Sequence, residues 1–71
     1  MNAIGEIRKN ATEVIRVGWS EYKGHHFLDM RVYFEDDSGN WRPTKKGIAI
    51  APEQLAGIME LLTKAEQSEG K

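Results

Sequence analysis

Residues 14–34 read VIRVGWSEYKGHHFLDMRVYF, and this stretch decides the fold. From Val14 the chain alternates: Ile15, Val17 and Trp19 fall on one side of an extended backbone, and Arg16, Gly18 and Ser20 on the other. Successive strand residues point to opposite faces, so this is a half-buried strand with one greasy face. Tyr22 shares the parity of Arg16, Gly18 and Ser20 and belongs to the wetter face. Lys23-Gly24 is a turn signal. Beyond it, Phe27 to Phe34 alternates again. Leu28, Met30, Val32 and Phe34 form a row that reads as core. Phe27, Asp29, Arg31 and Tyr33 form the opposite row, where two aromatics flank a charged pair. That composition is unusual for a purely solvated face.

Downstream, Glu35-Asp36-Asp37-Ser38-Gly39-Asn40 is a polar turn that closes a hairpin, because Asp, Ser and Asn offer local hydrogen bonds and Gly a positive φ. Trp41-Arg42 starts a short strand. Pro43 cannot donate to a ladder, so that strand lies at an edge or ends there. Lys45-Lys46-Gly47 leads into Ile48-Ala49-Ile50, a short fourth strand. Pro52 suits the first turn of a helix, and Glu53 suits the positive end of its dipole. Leu55, Ile58, Met59 and Leu62 then follow the helical spacing, and Leu61 widens the stripe. Upstream, residues 1–11 have no sustained period. Ile4 and Ile7 offer something to dock, but the segment reads as a flexible lead-in. The expected organisation is a lead-in over 1–11, one domain over 12–66 and a polar tail over 67–71. It belongs to the α+β class: strand, strand, short strand, short strand, helix. The helix can cover one sheet face only, and the other stays open.

A chain of 71 residues makes one small domain, with a marginal core. It has no cysteine, which excludes disulfides and thiolate metal sites and leaves self-association as the route to stability. No apolar stretch is long enough to span a bilayer. Met1 to Asn10 lacks the apolar middle of a secretory signal, so a cytoplasmic protein is the default expectation. The net charge is −1. Residues 1–50 carry eight Lys/Arg against seven Asp/Glu, and residues 51–71 carry two against four. Any nucleic-acid binding must therefore rest on local placement of charge and on stacking.

No catalytic constellation emerges, and no cofactor or metal is expected. His25 and His26 are adjacent, so on a strand they point to opposite faces and do not chelate one ion. Asp36 and Asp37 are neighbours in a turn and do not face one another across a substrate. No nucleophile sits beside a base, and no glycine pattern cradles phosphate. Cations interleaved with aromatics remain: Tyr22-Lys23, Arg31 with Tyr33 and Phe34, Trp41-Arg42, and Lys45-Lys46. Single-strand binders combine a positive groove with rings on which bases stack. On pattern alone, an interaction module that uses the open sheet face, or the edge near Pro43, is the stronger reading.

Several spaced motifs add a resemblance. Ser20-Glu21-Tyr22-Lys23-Gly24, Leu28-Asp29-Met30-Arg31, Gly39 to Ile48 and Pro52-Glu53-Gln54 occur in one order. From about Val14 to Leu62 the chain resembles the transcriptional positive cofactor 4 family, in its compact bacterial form. The resemblance implies a four-stranded curved antiparallel sheet followed by one C-terminal helix, dimerising through the helix and adjoining strands. It implies a homodimer that binds single-stranded DNA, with RNA left open, in transcription regulation or in replication and repair. The transcription machinery would be a further partner, and a bacterial member would sit at the nucleoid. Carried over by position, Tyr22 and Phe34 are the stacking rings. Lys23, Arg31, Arg42 and Lys46 are the cationic contacts, Lys45 joins them as a candidate from the cation–aromatic pattern, and His25 stands where lysine is frequent. Arg31 and Phe34 have opposite parity, so both face one groove only if a bulge or strong twist lies near Tyr33; otherwise Tyr33 is the ring that faces out. Ala51 is a poor N-cap, and Leu55 replaces a frequent aromatic. The sequence also lacks a long Ser-rich and acidic N-terminal region, so an activator-bridging role is not expected.

Overall fold

The computed structural model describes residues 2–69. In chain order it builds β1 (Asn2–Arg8), β2 (Glu13–Tyr22), β3 (His25–Glu35), β4 (Trp41–Ile50) and α1 (Pro52–Ser68). The strands form one antiparallel sheet in the order β1-β2-β3-β4. The α+β class and the four-strands-then-helix order stand as expected.

The β2–β3 hairpin follows directly from its turn chemistry. Tyr22 pairs with His25, leaving two residues in the loop. Lys23 has φ 52° and Gly24 φ 81°. A two-residue turn with both central residues at positive φ matches the right-handed twist of the strands it joins. The register then runs unbroken to the Glu13–Phe34 pair.

Two of the strands differ from those expected. The lead-in is not loose: β1 pairs with β2 from Asn2–Trp19 to Arg8–Val14. The register shifts between Ala3 and Gly5, so Ile4 is an extra residue in the ladder. A bulge interrupts the period of two, which is why alternation does not reveal this strand. The two short strands are one, β4. On β3, Arg31 pairs with Gly47 but Tyr33 pairs with Pro43, so residues 44–46 face a single position, Val32. The Thr44 hydroxyl donates to the Val32 carbonyl at 2.8 Å and accepts from the Lys46 N–H at 3.1 Å, holding the bulge closed. Pro43 lies on an edge strand, as its missing N–H requires.

The hairpin at 35–40 is built around one carboxylate. Asp36 Oδ1 accepts the N–H groups of Ser38 and Asn40, each at 2.9 Å. The backbone adds Asp36 N to Asn40 O at 2.8 Å and Gly39 N to Asp36 O at 3.0 Å. Gly39 takes φ 83°.

The core is slight. Leu28 (7% exposed) and Ile50 (2%) are direct cross-strand neighbours on the apolar row. The third buried apolar residue, Val14 at 2%, lies on the opposite row, between Arg8 on β1 and Tyr33 on β3. The helix was expected to cover one sheet face, but it does so only weakly. Its main contact is with β3, and none of its described residues is buried. Leu55 and Ile58 are half-buried, and Met59, Leu61 and Leu62 are exposed. Ala51 supplies no side-chain cap; instead Gln54 Oε1 accepts the Ala51 N–H at 3.2 Å. The tail expected over 67–71 begins inside α1, which runs to Ser68; Gly70 and Lys71 lie outside the described residues.

Candidate nucleic-acid interface

Strand parity sorts the candidate residues onto two faces. The wet row of β2 and β3 carries Arg16, Gly18, Ser20 and Tyr22 opposite Arg31, Asp29, Phe27 and His25. The apolar row carries Ile15, Val17 and Trp19 opposite Val32, Met30 and Leu28. His25 and His26 do part to opposite sides: His25 faces Tyr22, and His26 stacks on Trp19 at 5.8 Å between ring centres.

Tyr22, Lys23 and His25 gather at the β2–β3 turn. Tyr22 is 65% exposed, and Lys23 Nζ lies 5.3 Å from its ring centre. Phe34 and Arg42 gather at the other end of β3, where they are cross-strand neighbours, with Glu13 on the far side of Phe34. Lys46 is near enough to act on the Glu13 carboxyl. That carboxyl is held below its usual range, first by hydrogen bonds from Asn10 and Lys9. About 30 Å of strand separates the two clusters, and Tyr22 and Phe34 have opposite parity, so the candidate residues form two patches, not a pocket.

β3 carries no bulge near Tyr33, the extra residues lie on β4 and β3 stays regular against β2, so Arg31 and Phe34 do not share a face and Tyr33 is the ring on the side of Arg31. Phe34 therefore keeps the parity of Val32 and Met30, at the open end of the apolar row. Tyr33 keeps the parity of Arg31, and Arg16 lies over its ring at 4.2 Å.

Arg31 is tightly tied within the chain. Its Nε and Nη2 donate to Asp29 Oδ2 and Oδ1 at 3.2 and 3.1 Å, and Nη1 donates to the Thr44 carbonyl at 2.8 Å. Gly47 makes this crossing possible, since a Cβ there would meet Arg31 Cζ at 2.7 Å. The hydrogen bond with Asp29 pushes the guanidinium further up from its ordinary value. Asp29 is only 8% exposed. Arg31→Met is therefore expected to cost about 1–3 kcal/mol of stability by stranding a buried carboxylate, read as a lower denaturant midpoint.

Sequence reasoning missed two pairs. Arg8 lies 5.7 Å from the Trp41 ring centre, and Arg16 combines its place over Tyr33 with a 2.9 Å bond to Glu6. The parity of Arg16 with Ser20 and Tyr22 was a usable signal. Arg8, in a strand hidden by its bulge, had none. Among the described residues Lys23, Lys45 and Lys46 form no salt bridge, while Arg42 is paired with Asp36.

This fold has known counterparts. The family described as Transcriptional Coactivator p15 (PC4) matches residues 9–61. The chain belongs to the PC4 family. The chain is similar to a PC4 homologue from Burkholderia pseudomallei, solved in two crystal forms. Against the orthorhombic form the TM-score is 0.89 at 36% identity, over 97% of this chain and 92% of that one. Against the tetragonal form it is 0.85 at 35%, over 92% and 96%. The PC4 homologue of bacteriophage T5, described as implicated in recombination-dependent DNA replication, shares the fold: TM-score 0.64, 21% identity, 92% of this chain and 80% of that one. These likenesses mark a PC4 protein of the compact bacterial type, and β1 belongs to that shape even though the family match begins at residue 9.

Proposed function

We propose that this PC4-family chain is a homodimer that binds single-stranded DNA with little sequence preference, in transcription regulation, replication or repair at the bacterial nucleoid. The observation that carries the reading is a pair of exposed rings with cations beside them: Tyr22 with Lys23 and His25 on the wet row at one end of β3, and Phe34 with Arg42, Lys45 and Lys46 at the other end, where the apolar row opens to solvent. A ring accepts any base by stacking, and a cation accepts any phosphate, so the combination recognises a strand and not a sequence. Arg31 serves both patches by bracing β3 against β4.

Dimerisation is supported by surface. A folded monomer of this mass exposes about 4,500 Å², whereas this chain exposes 5639 Å². The excess exceeds the roughly 800 Å² that each partner contributes to a standard interface. The radius of gyration, 14.0 Å, is likewise above the roughly 11 Å of a compact chain of this length. The uncovered stripe of α1 and the apolar row beside it are where a second copy would add its helix.

Fluorescence anisotropy with a 20-base single strand and the matching duplex tests the reading. With Lys23, Lys45 and Lys46 each meeting a phosphate and Arg42 held by Asp36, log K for the single strand is expected to fall with log salt at a slope of about −2, and the duplex to bind much more weakly. The net charge of −1 favours the competing reading, a protein-interaction module on the same open face. Capture of a protein with no single-strand binding at low salt would decide for it.

A further inference from the structure

Arg42 stands beside Phe34 yet is occupied: its Nε donates to Asp36 Oδ2, with Arg42 61% exposed and Asp36 19%. We propose that Asp36 is a built-in competitor for DNA phosphate, which sets the strength and salt dependence of single-strand binding through Arg42. The inference rests on the single-strand reading above and adds a positioning residue that opposes binding.

The two partners are held very differently. Asp36 is fixed by its turn, since its other oxygen takes the N–H groups of Ser38 and Asn40. Its carboxyl is kept below the usual range, first by Arg42 and then by the Asn40 N–H. The acid therefore stays put and charged while the cation is free to leave. When Arg42 swings to a phosphate, Asp36 keeps its two backbone donors and is not stranded. Exposed ion pairs are weak, so a phosphate can displace this one. Arg31, with three bonds to Asp29 and Thr44, has no such freedom. A phosphate arriving at Arg42 must take it from Asp36, whereas among the described residues Lys45 and Lys46 on the same strand form no salt bridge. This tempers affinity in a protein that must release its strand.

Asp36→Asn keeps the turn acceptor and removes the charge. It is expected to tighten single-strand binding about two- to five-fold at 50 mM salt, the size of an exposed ion pair. It is also expected to steepen the salt slope by about 0.7, one more phosphate contact. Glu69→Gln makes the same change in net charge away from both patches and controls for the global field. In an Arg42→Gln background the Asp36 effect should vanish. Should Asp36→Asn fail to fold, a second comparison stands: Arg42→Gln in the otherwise natural chain is expected to cost less affinity than Lys46→Gln. Natural protein that binds while Asp36→Asn matches Glu69→Gln, or an Asp36 effect that survives without Arg42, overturns the competitor alone. A natural protein that binds no single strand overturns the functional reading and the competitor with it.

Discussion

Leu62→Glu is expected to dissociate the proposed dimer, with an association constant at least a thousand-fold lower by sedimentation or light scattering. Within one chain Leu62 is 55% exposed, and no described helix residue is buried. If the chain worked alone, a glutamate there would be close to neutral, because exposed substitutions away from special features change stability by about 0.5 kcal/mol at most. In the proposed dimer the same position is covered by the partner helix. Burying a leucine contributes about 2 kcal/mol, and a two-fold axis counts the substitution twice. The loss is therefore at least about 4 kcal/mol before the cost of desolvating two like charges. The two readings differ by orders of magnitude in one measurement. A dimer that survives Leu62→Glu unchanged would remove the α1 stripe from the interface.

Tyr22→Ala should be the most damaging single change to binding that leaves the fold intact. The ring is 65% exposed at a hairpin end, so little packing is lost. The turn beside it depends on Lys23 and Gly24, not on the ring. A stacked base contributes about 1–3 kcal/mol, so the dissociation constant for a short single strand should rise about 5- to 150-fold with the melting curve in place. Phe34→Ala gives a useful contrast. Phe34 continues the apolar row of Val32 and Met30 and is only 38% exposed, so part of its effect should appear as lost stability. Unchanged affinity in Tyr22→Ala would take that ring out of the site.

Much of the fold is legible in the order of the residues. Strict alternation over Val14–Ser20 and Phe27–Phe34 places two strands, and Lys23-Gly24 places the turn between them, because side-chain period and turn conformation are local properties. Pro52 and the stripe from Leu55 to Leu62 place the helix for the same reason. The spaced motifs from Ser20 to Gln54 are enough to point to the PC4 family. Where the local period breaks, reading fails. Ile4 is an extra residue in β1 and residues 44–46 are extra in β4, so one strand passes for a loose lead-in and another for two fragments.

The sequence by itself determined the strand-and-helix order, the faces of β2 and β3, and which aromatics and cations lie along them. Only the tertiary structure decided how those cations are used. Arg31 pairs with Asp29 two residues away, but it is locked because β4 bulges toward it, bringing the Thr44 carbonyl within reach and setting Gly47 beneath it. Arg42 is checked because the five-residue turn between Glu35 and Trp41 folds Asp36 back onto it. Val14 is buried on the wet side because the flanking strands β1 and β3 set Arg8 and Tyr33 on either side of it. A charge's partner is set by distance in space, and spacing along the chain carries no record of it once bulges and turns change the register.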